Sequence, residues 1–326
     1  MSTKIKQLLS ITLVLCLIIA GIVAYGLQQT HTQHDTDKLY ITVTTTFLGD
    51  VVEQIGGDEV VVTRLMGAGV DPHQYQASSS DLTKLTSADM VFYAGLHLEA
   101  KLGEVLEKLA ETGKPIVNTS KHIANQDLLY AEQLTPEEIA ELTVDEGVYD
   151  PHIWFDVDLW RNVIQTVKTS LQEKDPTNQA LYEQNYQAYM KELAELDDYI
   201  VTKLQELPES ARYLITAHDA FNYFSRYTGM EVHGIQGINT TVEAGTNDVS
   251  ATANLIVEHK IKAIFIESSV SPKLIQALQE AVRAKGANTE IGGELYSDST
   301  GELSTFEGTY IGMYKHNINT IVEALK

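Results

Sequence analysis

The chain carries one cysteine, Cys16, in 326 residues. It lies inside an apolar run near the N-terminus, so everything beyond that run has no disulfide and no thiolate to offer a metal. Val14-Leu15 are not the small residues that lipoprotein processing needs before a cysteine, and Cys16 reads as apolar filler. Basic residues are also scarce. Lysine and arginine number 23 against 45 aspartates and glutamates, a net charge of −22. That balance excludes a nucleic-acid partner, which needs a basic surface, and an anionic lipid face would repel it. Several chemical motifs are missing as well: there is no nucleophile elbow, no phosphate loop, no dinucleotide glycine fingerprint and no His-Glu-x-x-His. Gly67-Ala68-Gly69 runs into Val70-Asp71-Pro72 and cannot open a phosphate-binding helix.

What is present begins with Lys4 and Lys6, followed by an uncharged apolar run over residues 8–27. About 20 apolar residues suffice to span a bilayer, and the run exceeds the usual ~7–15-residue core of a cleaved signal peptide. Ala24-Tyr25-Gly26 nevertheless offers a small-x-small cleavage site. Residues 1–37 are therefore expected to be a signal peptide, or an inner-membrane anchor, with a polar spacer. All that follows is exported to the periplasm. His31 and His34 in the spacer read as solvated side chains.

The remaining length suits about two domains. Residues 41–46, 60–65, 90–94 and 115–118 read as strands. Helices are expected at 47–55, 80–87 (capped by Ser80 or Asp81) and 98–109. This alternation implies parallel βαβ units. Residues 122–148 form an acidic surface excursion, with a short capped helix at Thr135-Pro136-Glu137-Glu138, and a helix follows at 157–171. Neither proline nor glycine occurs from 179 to 207. Leu181, Tyr186, Tyr189, Leu193, Leu196, Tyr199, Ile200 and Leu204 recur there at helical spacing, which predicts one helix roughly 40–45 Å long at ~1.5 Å per residue. The pattern then repeats, with strands at 213–216, 231–235, 263–266 and 290–291. Helices fall at 218–227, 248–259, 272–284 and 309–325. The expected fold is α/β: two similar βα lobes with parallel sheets, residues 38–174 and 209–326, joined by one long connecting helix at 175–208.

Asp-Pro-His occurs twice, as Asp71-Pro72-His73 and Asp150-Pro151-His152, in a chain with ten histidines. Proline fixes its own φ and restricts the residue before it, so each imidazole leaves a stiff loop in a preset direction. Stiff loops suit metal ligands, although Asp-Pro is also an ordinary turn pair. In open α/β sheets, ligands bind outside the carboxyl ends of the strands. His218, Glu267 and Asp298 fall at or beyond such ends in the second lobe. Three histidines and an aspartate make a plausible site for zinc or manganese. Position alone leaves alternatives open. His218 reads also as a helix cap and Asp298 as a turn residue. Glu267 reads as a supporting or capping carboxylate more readily than as a ligand. His97, His122, His233, His259 and His316 read as surface or capping residues.

Longer motifs carry a resemblance. Gly67 to His73, Asp150-Pro151-His152-Ile153-Trp154-Phe155-Asp156, Thr216-Ala217-His218-Asp219-Ala220-Phe221, Phe265-Ile266-Glu267-Ser268-Ser269 and Gly292-Gly293-Glu294-Leu295-Tyr296-Ser297-Asp298 resemble the metal-binding solute receptors of bacterial ABC importers, in their TroA-like zinc/manganese-binding branch. The resemblance runs from about residue 40 to the C-terminus. It implies one metal ion between the lobes and ligands at His73, His152, His218 and Asp298. The third position is glutamate in receptors of the streptococcal type. Dedicated zinc receptors carry a His-rich loop where this chain has only His122, which weakens a zinc-only reading. The missing lipoprotein signal favours a periplasmic or inner-membrane-anchored protein.

The leading expectation is a monomeric, non-catalytic receptor. It captures one divalent transition metal ion (Zn²⁺ or Mn²⁺, with Fe²⁺ a third candidate) and hands it to the inner-membrane ABC permease. The competing class is a metal-dependent hydrolase, which would keep an open coordination position and a general base beside it. Four protein ligands leave little room for substrate, and Glu267 is the only evident spare base. Some relatives also carry the label of surface adhesin, for which nothing in the sequence speaks. Three imidazoles favour zinc over manganese thermodynamically.

Overall fold

The computed structural model describes residues 38–131 and 149–326. The expected signal or anchor, Cys16, the spacer histidines and the short helix at Thr135-Pro136 lie outside the described residues. Residues Leu39–Lys326 form one compact unit.

The first lobe contains β1 (Leu39–Val43), α1 (Thr46–Gly56), β2 (Val60–Arg64), α2 (Ser79–Ser87), β3 (Met90–Tyr93), α3 (Ala100–Glu111), β4 (Ile116–Asn118) and α4 (Val157–Lys174). Its strands are all parallel, in the order β2-β1-β3-β4. Thr45 caps α1 by accepting from the Leu48 amide. Ser78 caps α2 in a reciprocal box with Asp81, earlier than the Ser80 or Asp81 expected from sequence. Ser79 and Ser80 both sit inside the first turn, and only the Ser78–Asp81 spacing permits the reciprocal pair. Asp156 caps α4 by accepting from the amides of residues 158 and 159.

The connecting helix α5 (Gln179–Leu204) is continuous for 26 residues, about 39 Å at 1.5 Å per residue. It buries Tyr182, Tyr189, Leu193, Leu196, Ile200 and Leu204. The second lobe follows with β5 (Tyr213–His218), α6 (Asn222–Thr228), β6 (Glu231–Gln236), α7 (Thr246–His259), β7 (Ala263–Glu267), α8 (Lys273–Ala284), β8 (Glu290–Leu295) and α9 (Tyr310–Leu325). β5 pairs with β6 and β7 with β8, both parallel, and β5 lies against β7. The spatial order β6-β5-β7-β8 thus repeats that of the first lobe.

Two second-lobe elements differ from the sequence expectation. The helix anticipated at 218–227 begins only at Asn222, because β5 continues to His218, which pairs with Gln236 of β6. His218 is therefore the last residue of a strand and caps no helix. The strand anticipated at 290–291 extends through Gly292-Gly293 to Leu295, with a register shift opposite Ile264/Phe265. The two glycines continue the strand and serve close packing. A Cβ on Gly292 would meet the Ala324 Cβ at 2.6 Å, and one on Gly293, at φ 148°, the Thr320 Cγ2 at 2.5 Å. Only bare backbone lets α9 lie this close to β8.

One apolar core runs through both lobes and α5. Its centre is aromatic: Phe47 stacks on Trp154 at 4.7 Å, Trp160 on Tyr310 at 5.3 Å and Phe155 on Phe221 at 4.4 Å between ring centroids. Polar pins accompany it. The Tyr310 amide and the Tyr189 hydroxyl donate to buried Asp50 at 2.9 and 3.2 Å, joining α1, α5 and α9. Asp197 on α5 accepts from Arg161 of α4 and from the Tyr227 hydroxyl of α6.

Candidate metal centre

The carboxyl ends of both sheets face one another across the lobe junction. His73 follows β2 by a loop and His152 precedes α4. His218 closes β5, and Asp298 lies just beyond β8. All four side chains are buried, and one ligand atom from each lies within 4.8 Å of the others. His73 Nε2 is 3.3 Å from His152 Nε2. Asp298 Oδ1 is 3.3 Å from His152 Nε2 and 3.4 Å from His218 Nε2. Four ligand atoms around one zinc-sized ion at about 2.0–2.2 Å would sit roughly 3–4 Å apart.

The two Asp-Pro-His loops share a backbone device. Asp71 Oδ1 accepts from the His73 amide, and Asp150 Oδ1 from the His152 amide, each at 2.9 Å. These are Asx turns that set the direction of each imidazole. Beyond that the two aspartates diverge. Asp150 Oδ1 also lies 2.7 Å from His152 Nδ1, and accepting a hydrogen bond from that N–H leaves Nε2 as the atom facing the cluster. Asp71 Oδ2 instead accepts from the Thr240 hydroxyl of the other lobe, and Gln74 donates to both Asp71 and Thr240. Glu267 performs for His218 the task that Asp150 performs for His152. Its Oε1 accepts from the His218 amide at 2.9 Å and its Oε2 lies 2.5 Å from Nδ1. Glu267 is thus a supporting carboxylate, at the end of β7, and caps no helix. Ser269 donates to Asp298 Oδ2 at 3.1 Å. The Trp154 ring stands edge-on to His152 at 5.2 Å, and its Nε1 donates to the Ser297 carbonyl.

Electrostatics follow from this burial. Burial works against a charged His152, but Asp150 and then Asp298 raise its pKa to about 9. Burial opposes a charged His218 too, and Glu267 and Asp298 lift it well above the usual value. His73 has no carboxylate behind its ring, and burial brings it down to about 3 despite Asp298. Burial would raise Asp298, yet the histidines, His218 first, hold it well below the ordinary carboxylate range. A divalent cation bound at Nε2 of His152 and His218 would take the place of their protons and set its charge against the nearby carboxylates of Asp150, Glu267 and Asp298. Asp298 Oδ1 and His218 Nε2, both buried, meet only at 3.4 Å, without a well-formed hydrogen bond. Buried ligand atoms that converge on one point at such spacing are what a metal ion would satisfy. The donor set, three imidazoles and a carboxylate, fits one Zn²⁺ or Mn²⁺ ion.

The family model described as ZnuA, zinc-uptake complex component A periplasmic, matches residues 41–324. The chain belongs to this family. Among its ZnuA-family relatives is the manganese-binding lipoprotein MntA of Bacillus subtilis, 42% identical over 290 residues, which are 89% of this chain and 90% of that protein. The zinc-binding protein TroA of Treponema pallidum is 44% identical over 288 residues, 88% of this chain and 89% of that one. The solved structure of periplasmic TroA from Treponema pallidum superposes with a TM-score of 0.81 at 43% identity, covering 88% of this chain and 99% of that one. The paired-lobe α/β architecture is therefore a ZnuA-family fold.

Among the described residues, the other histidines stay outside the cluster. His122 and His259 are exposed, with His259 against the Tyr213 ring. His233 pairs with Glu231, and His316 donates to the Glu294 carbonyl. Sequence reasoning missed Asp150, Ser269 and Thr240. The repeat of Asp before Pro-His could have pointed to Asp150. Nothing in the sequence distinguishes its role from that of Asp71, because the difference lies in which side chains the fold brings near the second oxygen.

Proposed function

We propose that this protein is an extracytoplasmic substrate-binding receptor that captures one divalent transition metal ion, Zn²⁺ or Mn²⁺ with Fe²⁺ a third candidate, and delivers it to the permease of an ABC importer. His73, His152, His218 and Asp298 are its ligands. The observation that carries this is the convergence of four buried side chains whose ligand atoms lie within 4.8 Å of one another. The names of its relatives, a manganese-binding and a zinc-binding protein, support the same cargo. The protein is not an enzyme in this reading: four side chains fill the shell of a small ion, and Glu267, the spare base, is already engaged with His218. The ion is cargo, enclosed until docking.

The working unit is a monomer with lobes at 38–174 and 209–326 and a linking helix at 175–208. Residues 1–37 deliver it to the periplasm as a cleaved signal or hold it at the inner membrane. Among the described residues no helix is long and apolar enough to cross a membrane. Metal analysis of protein purified from its native compartment, with calorimetric titration of the stripped protein, tests the assignment. One equivalent of zinc or manganese is expected, with tight binding lost in His218→Ala. Absence of tight binding, or its persistence in that variant, sinks it.

A further inference from the structure

His73 is held differently from its neighbours in the cluster. Asp150 lies 2.7 Å from His152 Nδ1, and Glu267 lies 2.5 Å from His218 Nδ1. Among the described residues no carboxylate backs the His73 ring in that way. Its aim therefore rests on the loop that carries it. The second lobe grips that loop at two points. At the first, the Gly69 amide donates to the Ser299 hydroxyl at 2.9 Å, and a Cβ on Gly69, at φ 73°, would meet the Ser268 carbonyl oxygen at 3.3 Å. Glycine alone takes this backbone conformation without strain. At the second, the Thr240 hydroxyl donates to Asp71 Oδ2, while Asp71 Oδ1 accepts from the His73 amide at 2.9 Å.

Thr240 is itself firmly placed. It lies in the loop 237–245 between β6 and α7 and is buried, although Val242 two residues on is 71% exposed. Gln236, the last residue of β6, donates its side-chain amide to the carbonyls of Thr240 and Val242 at 2.9 and 2.6 Å. Gln74 reaches over from the first lobe. It donates to Asp71 Oδ2 at 3.0 Å and to the carbonyl and hydroxyl oxygens of Thr240, each at 3.2 Å. A chain of hydrogen bonds thus runs from the end of β6 through Gln236, Thr240 and Asp71 to the backbone of His73. A hydroxyl bound to a carboxylate is a charge-assisted pair, stronger than a neutral one.

We infer that Thr240 is a positioning residue for metal capture: it fixes the Asp71 carboxylate and, through it, the turn that aims His73 at the ion. The inference rests on the proposed metal-receptor function and deepens it. Thr240 touches no ion. It acts from the second lobe on a ligand of the first, and on the one histidine whose ring has no carboxylate at Nδ1. Without the hydroxyl, Asp71 Oδ2 keeps only the Gln74 amide. The carboxylate is then free to rotate, and the ion itself must order His73. That ordering entropy is subtracted from the affinity. Such losses fall mainly on dissociation, because encounter with the ion is unaltered.

The test uses the full chain, stripped of metal, with zinc or manganese chloride as the probe. Thr240→Val keeps the side-chain shape and removes the hydroxyl, and Thr240→Ser keeps the hydroxyl. Competition with a chelator gives Kd, and stopped-flow transfer to a chelator gives the dissociation rate. Thr240→Val should weaken both metals about tenfold and speed dissociation by a similar factor, the size of one charge-assisted hydrogen bond. Thr240→Ser should restore both quantities to within about twofold of wild type. The metal-free unfolding midpoint of Thr240→Val should fall by only about 2–4 °C. Gln74→Ala, at an exposed position, should shift Kd and dissociation in the same direction by a smaller factor. Should Thr240→Val collapse the metal-free midpoint, Gln74→Ala decides alone. Unchanged Kd and dissociation rate in these variants would overturn the inference and leave the receptor reading intact. A loss in Thr240→Ser as large as in Thr240→Val would overturn it too, since the hydroxyl would then not be the acting group. Wild-type protein that binds neither metal would remove both readings.

Discussion

Asp298 brings the only carboxylate of the four-residue cluster, and its Oδ1 is aimed at the imidazoles with no other partner. Manganese prefers oxygen donors, whereas zinc can hold three imidazoles and take water as its fourth ligand. Asp298→Ala is therefore expected to abolish most manganese binding and to leave measurable zinc binding, compared by titrating each metal into both proteins. Equal losses would mean that Asp298 acts through charge or lobe closure alone. Glu267 acts one step back, through His218. Glu267→Gln should weaken zinc binding about 10–100-fold, the usual effect of losing a carboxylate behind a metal-bound imidazole. The unfolding midpoint of its metal-free form at neutral pH should fall, since one partner of the buried Glu267–His218 pair is lost. An unchanged midpoint would show that the pair carries no charge in the metal-free protein. At this scale His73, His152, His218 and Asp298 were legible as a set through the motifs that carry the family resemblance, since position alone left His218 as a helix cap and Asp298 as a turn residue. The role of Asp150 was not, because Asp71 has the same sequence neighbours and a different spatial partner.

The helix α5 is the element on which both lobes rest. Leu196 on its buried face is fully enclosed, and Leu196→Ala should cost about 2–5 kcal/mol through the cavity it leaves. Urea unfolding should register this as a shifted midpoint at constant slope. A smaller element answers to pH. Burial would raise the Asp81 carboxyl, but hydrogen bonds from Ser78, Lys84 and Tyr75 hold it below the usual carboxylate range. A depressed folded pKa contributes stability that is present above the unfolded value and is lost as pH falls through the folded one. Wild type should accordingly exceed Asp81→Asn in stability at neutral pH, with the gap closing in strong acid. A gap that persists there would assign the effect to packing. The element pattern was legible wherever apolar spacing was regular, as along α5. It misled at His218 and Gly292-Gly293, where pairing with β6 and the close approach of α9 overrode the local signals.

Across the whole protein, one core and the pins at Asp50 and Asp197 join the lobes to α5. A strut packed along its length resists the wide opening of receptors joined by flexible strands. Scattering curves of metal-free and metal-loaded protein should nearly overlay, and a large change in radius of gyration would rule the strut out. Metal at a thousand times Kd should add about 4 kcal/mol of stability, read as one cooperative transition because both lobes share the core. Two separate transitions would mean that the lobes unfold independently. The alternation of strands and helices, the long helix and the acidic balance were readable from residue order, since periodicity and charge are local properties of a chain, and the four candidate ligands were drawn together by the motifs of the family resemblance. Which carboxylate backs which imidazole, and where β5 and β8 end, emerged only in three dimensions, because those features depend on segments tens to hundreds of residues apart meeting in the fold.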